Sequence, residues 1–199
     1  PSGYLGRLAL AEGRYAEAVR LYERACEEQG PHNDGVLMAL EGDLAHALIK
    51  TGEPAKALAA TRRAVALHEA KGLAWLDGMD PPFLWWRHAQ ALAANRRHAE
   101  AASALTKAYH FLVDHNAQVG DEGLRRNALN KVEETRELLA AWASHARRKR
   151  LSKTKREAHL AGKVNLSESF ERLVETGLRL NEIRSEAELT EFLVDEVTE

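Results

Sequence analysis

A six-residue pattern decides the fold of this chain, and it first reads Gly13-Arg14-Tyr15-Ala16-Glu17-Ala18. It returns as Gly52-Glu53-Pro54-Ala55-Lys56-Ala57 and then as Arg96-Arg97-His98-Ala99-Glu100-Ala101. In each copy a helix ends at a short turn and the next helix opens with alanines. Such a repeat indicates paired antiparallel helices stacked into a solenoid. We therefore expect Ala18, Ala57 and Ala101 to be buried contacts between helices.

The three copies resemble the tetratricopeptide repeat. That family places a small residue on the first helix, a glycine and an aromatic at the turn, and alanine, aromatic and alanine on the second helix. In copy one the matching residues are Gly6, Gly13, Tyr15, Ala18, Tyr22 and Ala25. Copy two offers Ala45, Gly52, Pro54, Ala57, Thr61 and Ala64, and copy three offers Ala89, Arg96, His98, Ala101, Leu105 and Ala108. Copy two lacks both aromatics, and copy three lacks the glycine as well. The resemblance implies a solenoid that binds a protein or peptide partner.

The spacing and the composition agree with an all-helical chain. Ala18, Ala57 and Ala101 are separated by 39 and 44 residues, whereas the usual period is about 34, so extra residues lie between the repeats. The chain has 199 residues, only five of them proline, and it is rich in good helix formers. The predicted fold class is all-α, a solenoid of helical hairpins with a long capping helix and a C-terminal heptad helix. The capping helix should begin at Asp121, a capping residue, and run to about Arg148.

The sequence predicts three parts. Residues 1–146 form the helical-repeat domain, residues 147–163 a basic linker, and residues 164–199 C-terminal helices that lead to a missing downstream domain. The linker contains a run of cations without an acid before Glu157: Arg147, Arg148, Lys149, Arg150, Lys153, Lys155 and Arg156. Like charges at this density repel one another, which favours an exposed segment.

The last part carries apolar residues at heptad spacing, which is typical of helix pairing. We expect it to form a homodimer and to relay a signal through Leu166, Phe170, Leu173, Gly177, Leu180 and Ile183. Residues 121–132 and 170–181 resemble the linkers of bacterial multidomain signalling proteins. In those proteins a GAF sensor domain and a cyclase or histidine-kinase output follow helical repeats. The opening helix of such a GAF domain is similar to Glu188-Leu189-Thr190-Glu191-Phe192-Leu193-Val194-Asp195-Glu196.

Chemistry-bearing motifs are scarce, so the sequence favours a non-catalytic protein without metal or cofactor. The histidines and acids do not follow a metal-ligand spacing, and phosphate loops and nucleophile elbows are absent. The single cysteine, Cys26, suits a reducing cytoplasm. The net charge is −2, which indicates neither nucleic acid nor membrane as a general partner. No apolar run approaches the roughly 18 residues of a membrane span.

The concave face of such a solenoid is lined by the first helix of each repeat, and this predicts the partner-binding residues. They are Tyr4, Arg7, His46, Lys50, Arg87 and Gln90. Two alternatives remain open. One is a nucleic-acid-associated regulator whose basic segment 147–156 contacts phosphates. The other is a small-molecule sensor with a pocket beneath Trp75, Trp85 and Trp86.

Overall fold

The computed structural model describes residues 2–29 and 33–160 of the chain. The described residues belong to one compact unit that ends at Leu160, and residues 161–199 make up a second unit. The predicted relay residues, the heptad helix and the GAF-like segment all lie in this second unit, outside the described residues.

Six helices form three successive hairpins. Their bounds are α1 (Ser2–Ala11), α2 (Tyr15–Gln29), α3 (Asp34–Lys50), α4 (Pro54–Ala70), α5 (Pro81–Ala94) and α6 (His98–Gln118). Within a hairpin the two helices pack on each other, and α2 packs on α3 as α4 packs on α5. The described residues contain helices, turns and loops without a strand. The predicted all-α solenoid of helical hairpins is confirmed.

Small residues set the distance between the helices of each hairpin. Ala18 and Ala57 are fully buried, and Ala101 is 9% exposed, as the repeated pattern predicts. Gly6 on α1 lies against the ring of Tyr22, where a Cβ atom would come within 2.9 Å of the ring carbon Cε1. The first hairpin therefore closes with glycine facing an aromatic ring, and a larger residue at position 6 would push the ring away.

The three turns within the hairpins have one backbone geometry. Gly13 and Gly52 have φ values of 75° and 80°, and Arg96 takes the same place with a φ of 60°. In each case the amide of the residue after the left-handed one, Arg14, Glu53 or Arg97, donates to a carbonyl five residues earlier. This is the hydrogen bond of a helix that ends with a left-handed residue. The sequence change from glycine to arginine thus leaves the turn intact.

The segment after the third hairpin differs from the single capping helix that the sequence predicts. It forms two helices, α7 (Glu122–Lys131) and α8 (Glu133–Arg148). Asp121 does cap α7, since its carboxylate accepts a hydrogen bond from the Leu124 amide. The chain then becomes extended at Val132, with φ −79° and ψ 120°. This break turns α8 so that it packs on both α5 and α6.

An aromatic pair holds the region after α8 against the solenoid. The rings of Tyr109 on α6 and Trp142 on α8 stack with centroids 4.0 Å apart. The Tyr109 hydroxyl and the Trp142 indole N–H both donate to the carbonyl of Arg156, each over 3.2 Å. Arg156 ends the short helix α9 (Lys153–Arg156), and a 3-10 turn at Ala158–Leu160 follows. Residues 147–160 of the predicted linker therefore pack within the first compact unit.

The loop between α4 and α5 is fastened to the core by a buried histidine. His68 accepts a hydrogen bond at Nδ1 from the Trp85 indole N–H over 3.0 Å, and its Nε2 lies 3.2 Å from the carbonyl oxygen of Ala74. A neutral ring protonated at Nε2 satisfies both contacts. Trp75 stacks on His115, with centroids 4.6 Å apart. Residues of this loop thus contact the helices through Ala74 and Trp75.

Candidate functional site

A cavity of about 590 Å³ opens on the face formed by the first helices of the three hairpins. Helices α1, α3 and α5 contribute most of its lining, and Tyr15 and Tyr22 of α2, the loop before α5 and the first turns of α8 complete it. We call this cavity the concave groove. Because α8 takes part, the groove depends on the break at Val132 that the sequence did not predict.

Four of the six predicted partner-binding residues meet in the concave groove. They are Arg7, His46, Lys50 and Arg87. Gln90 stays outside the lining but accepts a hydrogen bond from Arg87 over 3.1 Å. Tyr4 is 78% exposed and also lies outside the lining. The structure thus brings four of these side chains together and leaves two beside the groove.

Other charged residues that line the groove are not among the six predicted from the sequence. Asp43 lies 39 residues after Tyr4 and 44 before Arg87, so the spacing of the repeats already places it in their register. Glu133, Glu134 and Glu137 also line the groove. The spacing of the repeats does not predict these three glutamates, because they belong to α8, which follows the three hairpins. They reach the groove only because α8 packs on α5 and α6.

One ion pair and one three-residue network lie in the groove. Arg7 Nε lies 3.2 Å from a carboxylate oxygen of Asp43. The guanidinium of Arg87, whose side chain is 6% exposed, lies 3.5 Å from Glu134 and 3.9 Å from Glu137. These last two distances exceed the roughly 2.7–2.9 Å of a charge-assisted hydrogen bond. Arg87 is therefore a buried cation with loosely placed counter-ions.

Apart from Arg7, whose pKa the Asp43 carboxylate raises, burial disfavours the charged forms of the groove residues whose pKa values are shifted. It raises the pKa of Asp43, although the Arg7 guanidinium acts in the opposite direction. Burial also lowers the pKa of Arg87, although the negative charge of Glu134 acts to raise it. For His46, burial and then the positive charges of Arg87 and Lys50 lower the pKa to about 3. His46 is consequently a neutral hydrogen-bonding group at neutral pH.

Tyr22 supplies an unsatisfied polar atom to the same groove. Its side chain is fully buried, and it belongs to the lining. Its hydroxyl has no hydrogen-bond partner among the described residues. Burial raises the pKa of this phenol, so it stays protonated and can both donate and accept. Buried polar groups normally have a partner, and Asp43 is close enough to raise the pKa of this phenol further. The hydroxyl itself is enclosed from solvent.

Apolar side chains line the groove between the charged groups. They include Leu10 on α1, Met38 on α3, Met79 in the loop, and Phe83 and Leu84 on α5. A ligand that fills the groove would therefore cover apolar surface and meet charged groups at both sides. This mixture is what peptide and protein segments present, whereas pockets for small apolar molecules carry few charges.

The described residues contain no group of three histidine, cysteine or acidic side chains that could hold a metal ion. Cys26 is half-buried, and burial raises the pKa of its thiol to about 12. The thiolate is the reactive form of cysteine, so Cys26 is a packing residue in this structure.

The fold and the groove together define a helical-repeat protein. Residues 9–70, from the second half of α1 to the end of α4, match the tetratricopeptide repeat family. The chain thus contains a tetratricopeptide-repeat region, and the third hairpin extends the solenoid beyond it. No curated protein matches the chain. Among the described helices, none is long and apolar enough to cross a membrane.

Proposed function

We propose that this chain is a non-catalytic interaction module that binds a segment of a protein partner in the concave groove. Tetratricopeptide repeats generally mediate protein–protein interaction. The observation that carries the proposal is the groove itself, to which all three hairpins and α8 contribute charged and apolar side chains. Because the side chains stand on rigid helices, the groove is formed before the partner arrives, which lowers the entropic cost of binding.

The proposal can be tested without knowledge of the partner. A library of random dodecapeptides is selected on the chain of residues 1–199, and the selected peptides are measured against variants. Phe83→Ala removes an apolar side chain of the groove, and Leu124→Ala removes an exposed one on α7 as the matched control. We expect Phe83→Ala to weaken binding at least about fivefold, since a buried apolar contact contributes 1 kcal/mol or more. Equal binding to both variants would contradict the proposal.

We also propose that the groove is coupled to a downstream domain of a bacterial, cytoplasmic signalling protein. The sequence supports this by the heptad spacing of residues 166–180 and by the likeness to GAF-linked helices. The relay helices would act as a homodimer. Leu173→Glu and Leu180→Glu together place charges at two heptad positions, and the mass from light scattering should fall from dimer to monomer. A monomeric unsubstituted chain would contradict the relay.

One observation favours nucleic acid as a second candidate partner. The cationic side chains at positions 147–150, 153 and 155 are exposed, while Tyr109 and Trp142 hold the backbone at Arg156 in place. A fixed basic strip can neutralise phosphates and release counter-ions. Titration with a labelled DNA duplex at rising salt concentration tests this candidate. Binding that weakens steeply with salt, and is lost with Arg148→Glu and Lys149→Glu, would support it.

A further inference from the structure

We propose that the concave groove selects a basic segment of the partner, whose lysine or arginine side chain lies against the carboxylates of α8. The inference rests on the proposed function and adds the chemical class of the ligand.

Carboxylates outnumber cations in the lining of the groove. Asp43, Asp80, Glu133, Glu134 and Glu137 face Arg7, Lys50 and Arg87. His46 does not restore the balance, because burial keeps its pKa near 3 and the ring neutral. By formal charge, with five acids against three cations, the lining therefore carries an excess of two negative charges. A groove with excess charge of one sign attracts segments of the opposite sign.

The acidic side of the groove has capacity to bind a cation. Arg87 is shared between Glu134 and Glu137, at 3.5 and 3.9 Å. Those two carboxylates remain 44% and 41% exposed. Among the described residues Glu133 has no ion-pair partner, although it lines the groove beside them. A guanidinium or ammonium group from a partner would thus meet three carboxylates, of which only two share the buried Arg87.

Acidic residues in the first turn of a helix stabilise it through the helix dipole. This effect alone could account for Glu133 and Glu134 at the start of α8. It does not cover Glu137 or the buried hydroxyl of Tyr22. That hydroxyl lies in the lining of the same groove without a hydrogen-bond partner among the described residues. Within the described part of the chain, the groove therefore contains one buried polar atom without a partner at hydrogen-bonding distance, in addition to its acidic side.

A long basic side chain fits the rest of the groove better than a bare cation. Its methylene stem can pack on apolar residues such as Met79 and Phe83 while the charged end remains with the carboxylates. The described residues offer no cluster able to chelate a metal ion. A lysine or arginine within an apolar sequence context combines both requirements.

The same dodecapeptide library tests this inference on the chain of residues 1–199. We expect lysine and arginine to be enriched severalfold over the unselected library. The selected peptides should bind Glu133→Lys/Glu137→Lys at least about tenfold more weakly, since close charge pairs contribute this much or more. The matched control is Glu23→Lys/Glu27→Lys, which reverses two exposed acids four residues apart on α2, outside the groove. It should bind as the unsubstituted chain does.

The outcomes separate the inference from the proposed function. The selected peptides can depend on Phe83 for affinity and yet show no enrichment in lysine or arginine. That result would overturn the inference and leave the proposed function standing. Enrichment in acidic residues would overturn it in the same way. Selected peptides that Phe83→Ala does not affect, or no selected peptide at all, would count against both. If the double lysine variant melts below the control, Glu133→Gln/Glu137→Gln replaces it, with an expected loss of about fivefold.

Discussion

The two halves of the solenoid use different side chains to reach the same packing. In the first two hairpins, from Ser2 to Ala70, helices meet through small residues such as Gly6, Ala18 and Ala57. From Pro81 to Leu160 buried alanines such as Ala101 are still present, but large aromatics are added to them. The indole N–H groups of Trp85 and Trp142 and the hydroxyl of Tyr109 each donate a hydrogen bond.

This difference separates two ways of specifying a fold. Alanine fixes how closely two helices approach, but it carries no directional information. An indole or a phenol fills more volume and also requires a partner at one defined place. The family match at residues 9–70 covers the first half. The second half, in which aromatics are added to the small residues, is where the regular repeat gives way to α7, α8 and α9.

The largest effect should come from removing an aromatic of the second half. Trp142 is 4% exposed, stacks on Tyr109 and bonds to Arg156. Trp142→Ala should lower the free energy of unfolding by about 3–5 kcal/mol through the cavity it leaves. Trp142→Phe keeps a ring and should cost about half as much. Urea unfolding measures both, and equal losses would show that the stack contributes little.

The second-largest loss of stability should come from placing a large side chain at a buried alanine of the first half. Ala57 is fully buried between helices. Ala57→Leu should therefore lower the free energy of unfolding by about 1–3 kcal/mol, because the surrounding side chains and backbone must shift to make room. Ala59 on the same helix is exposed, and Ala59→Leu serves as the control with a change near zero. Thermal unfolding of both variants measures the difference in stability. A tolerated leucine at position 57 would show that the small residues do not set the helix spacing.

A smaller effect concerns pH at the junction of the two halves. Burial lowers the pKa of His68, so in acid the unfolded chain binds a proton that the folded chain does not. Stability is therefore complete above about pH 6.5, the ordinary pKa of histidine, and falls as the pH drops below it. We expect a loss of about 1 kcal/mol from His68 between pH 7.5 and 5.5.

Urea unfolding at the two pH values measures this loss. The variant His68→Gln cannot titrate, so its stability should change less between the two pH values than that of the unsubstituted chain. A pH response that is the same in both chains would mean that His68 is not its source.

The smallest effect lies in the turns. Arg96 has a φ of 60° where the earlier turns have glycine, and a side chain in this region is strained. Arg96→Gly should raise stability by about 0.5–1 kcal/mol, since glycine adopts the geometry freely. Gly52→Ala is the converse test, because a Cβ there meets nothing within 4 Å and any loss is conformational. Stabilisation by both substitutions would contradict the argument.

Much of the architecture could be predicted because it depends on local pattern. The turns, the buried alanines and the cap at Asp121 follow from residue size and from backbone groups close in sequence. The break at Val132 could not be predicted, because the residues on both sides of it favour a helix. The packing of α8 against α5 and α6 decides between one long helix and two.

The groove shows the same division. Arg7, His46, Lys50 and Arg87 could be predicted from the register of the repeats, because each stands on a first helix. The glutamates of α8 and the orphan hydroxyl of Tyr22 could not, since their positions depend on contacts between residues far apart in sequence.

The sequence by itself determined an all-helical repeat and placed Arg7, His46, Lys50 and Arg87 on the first helices of the hairpins. These features need only the helical period and the spacing of small residues. The tertiary structure alone decided which charges meet in the groove and that its balance is acidic. Burial and distance set those properties, and both arise only when helices separated by many residues pack together.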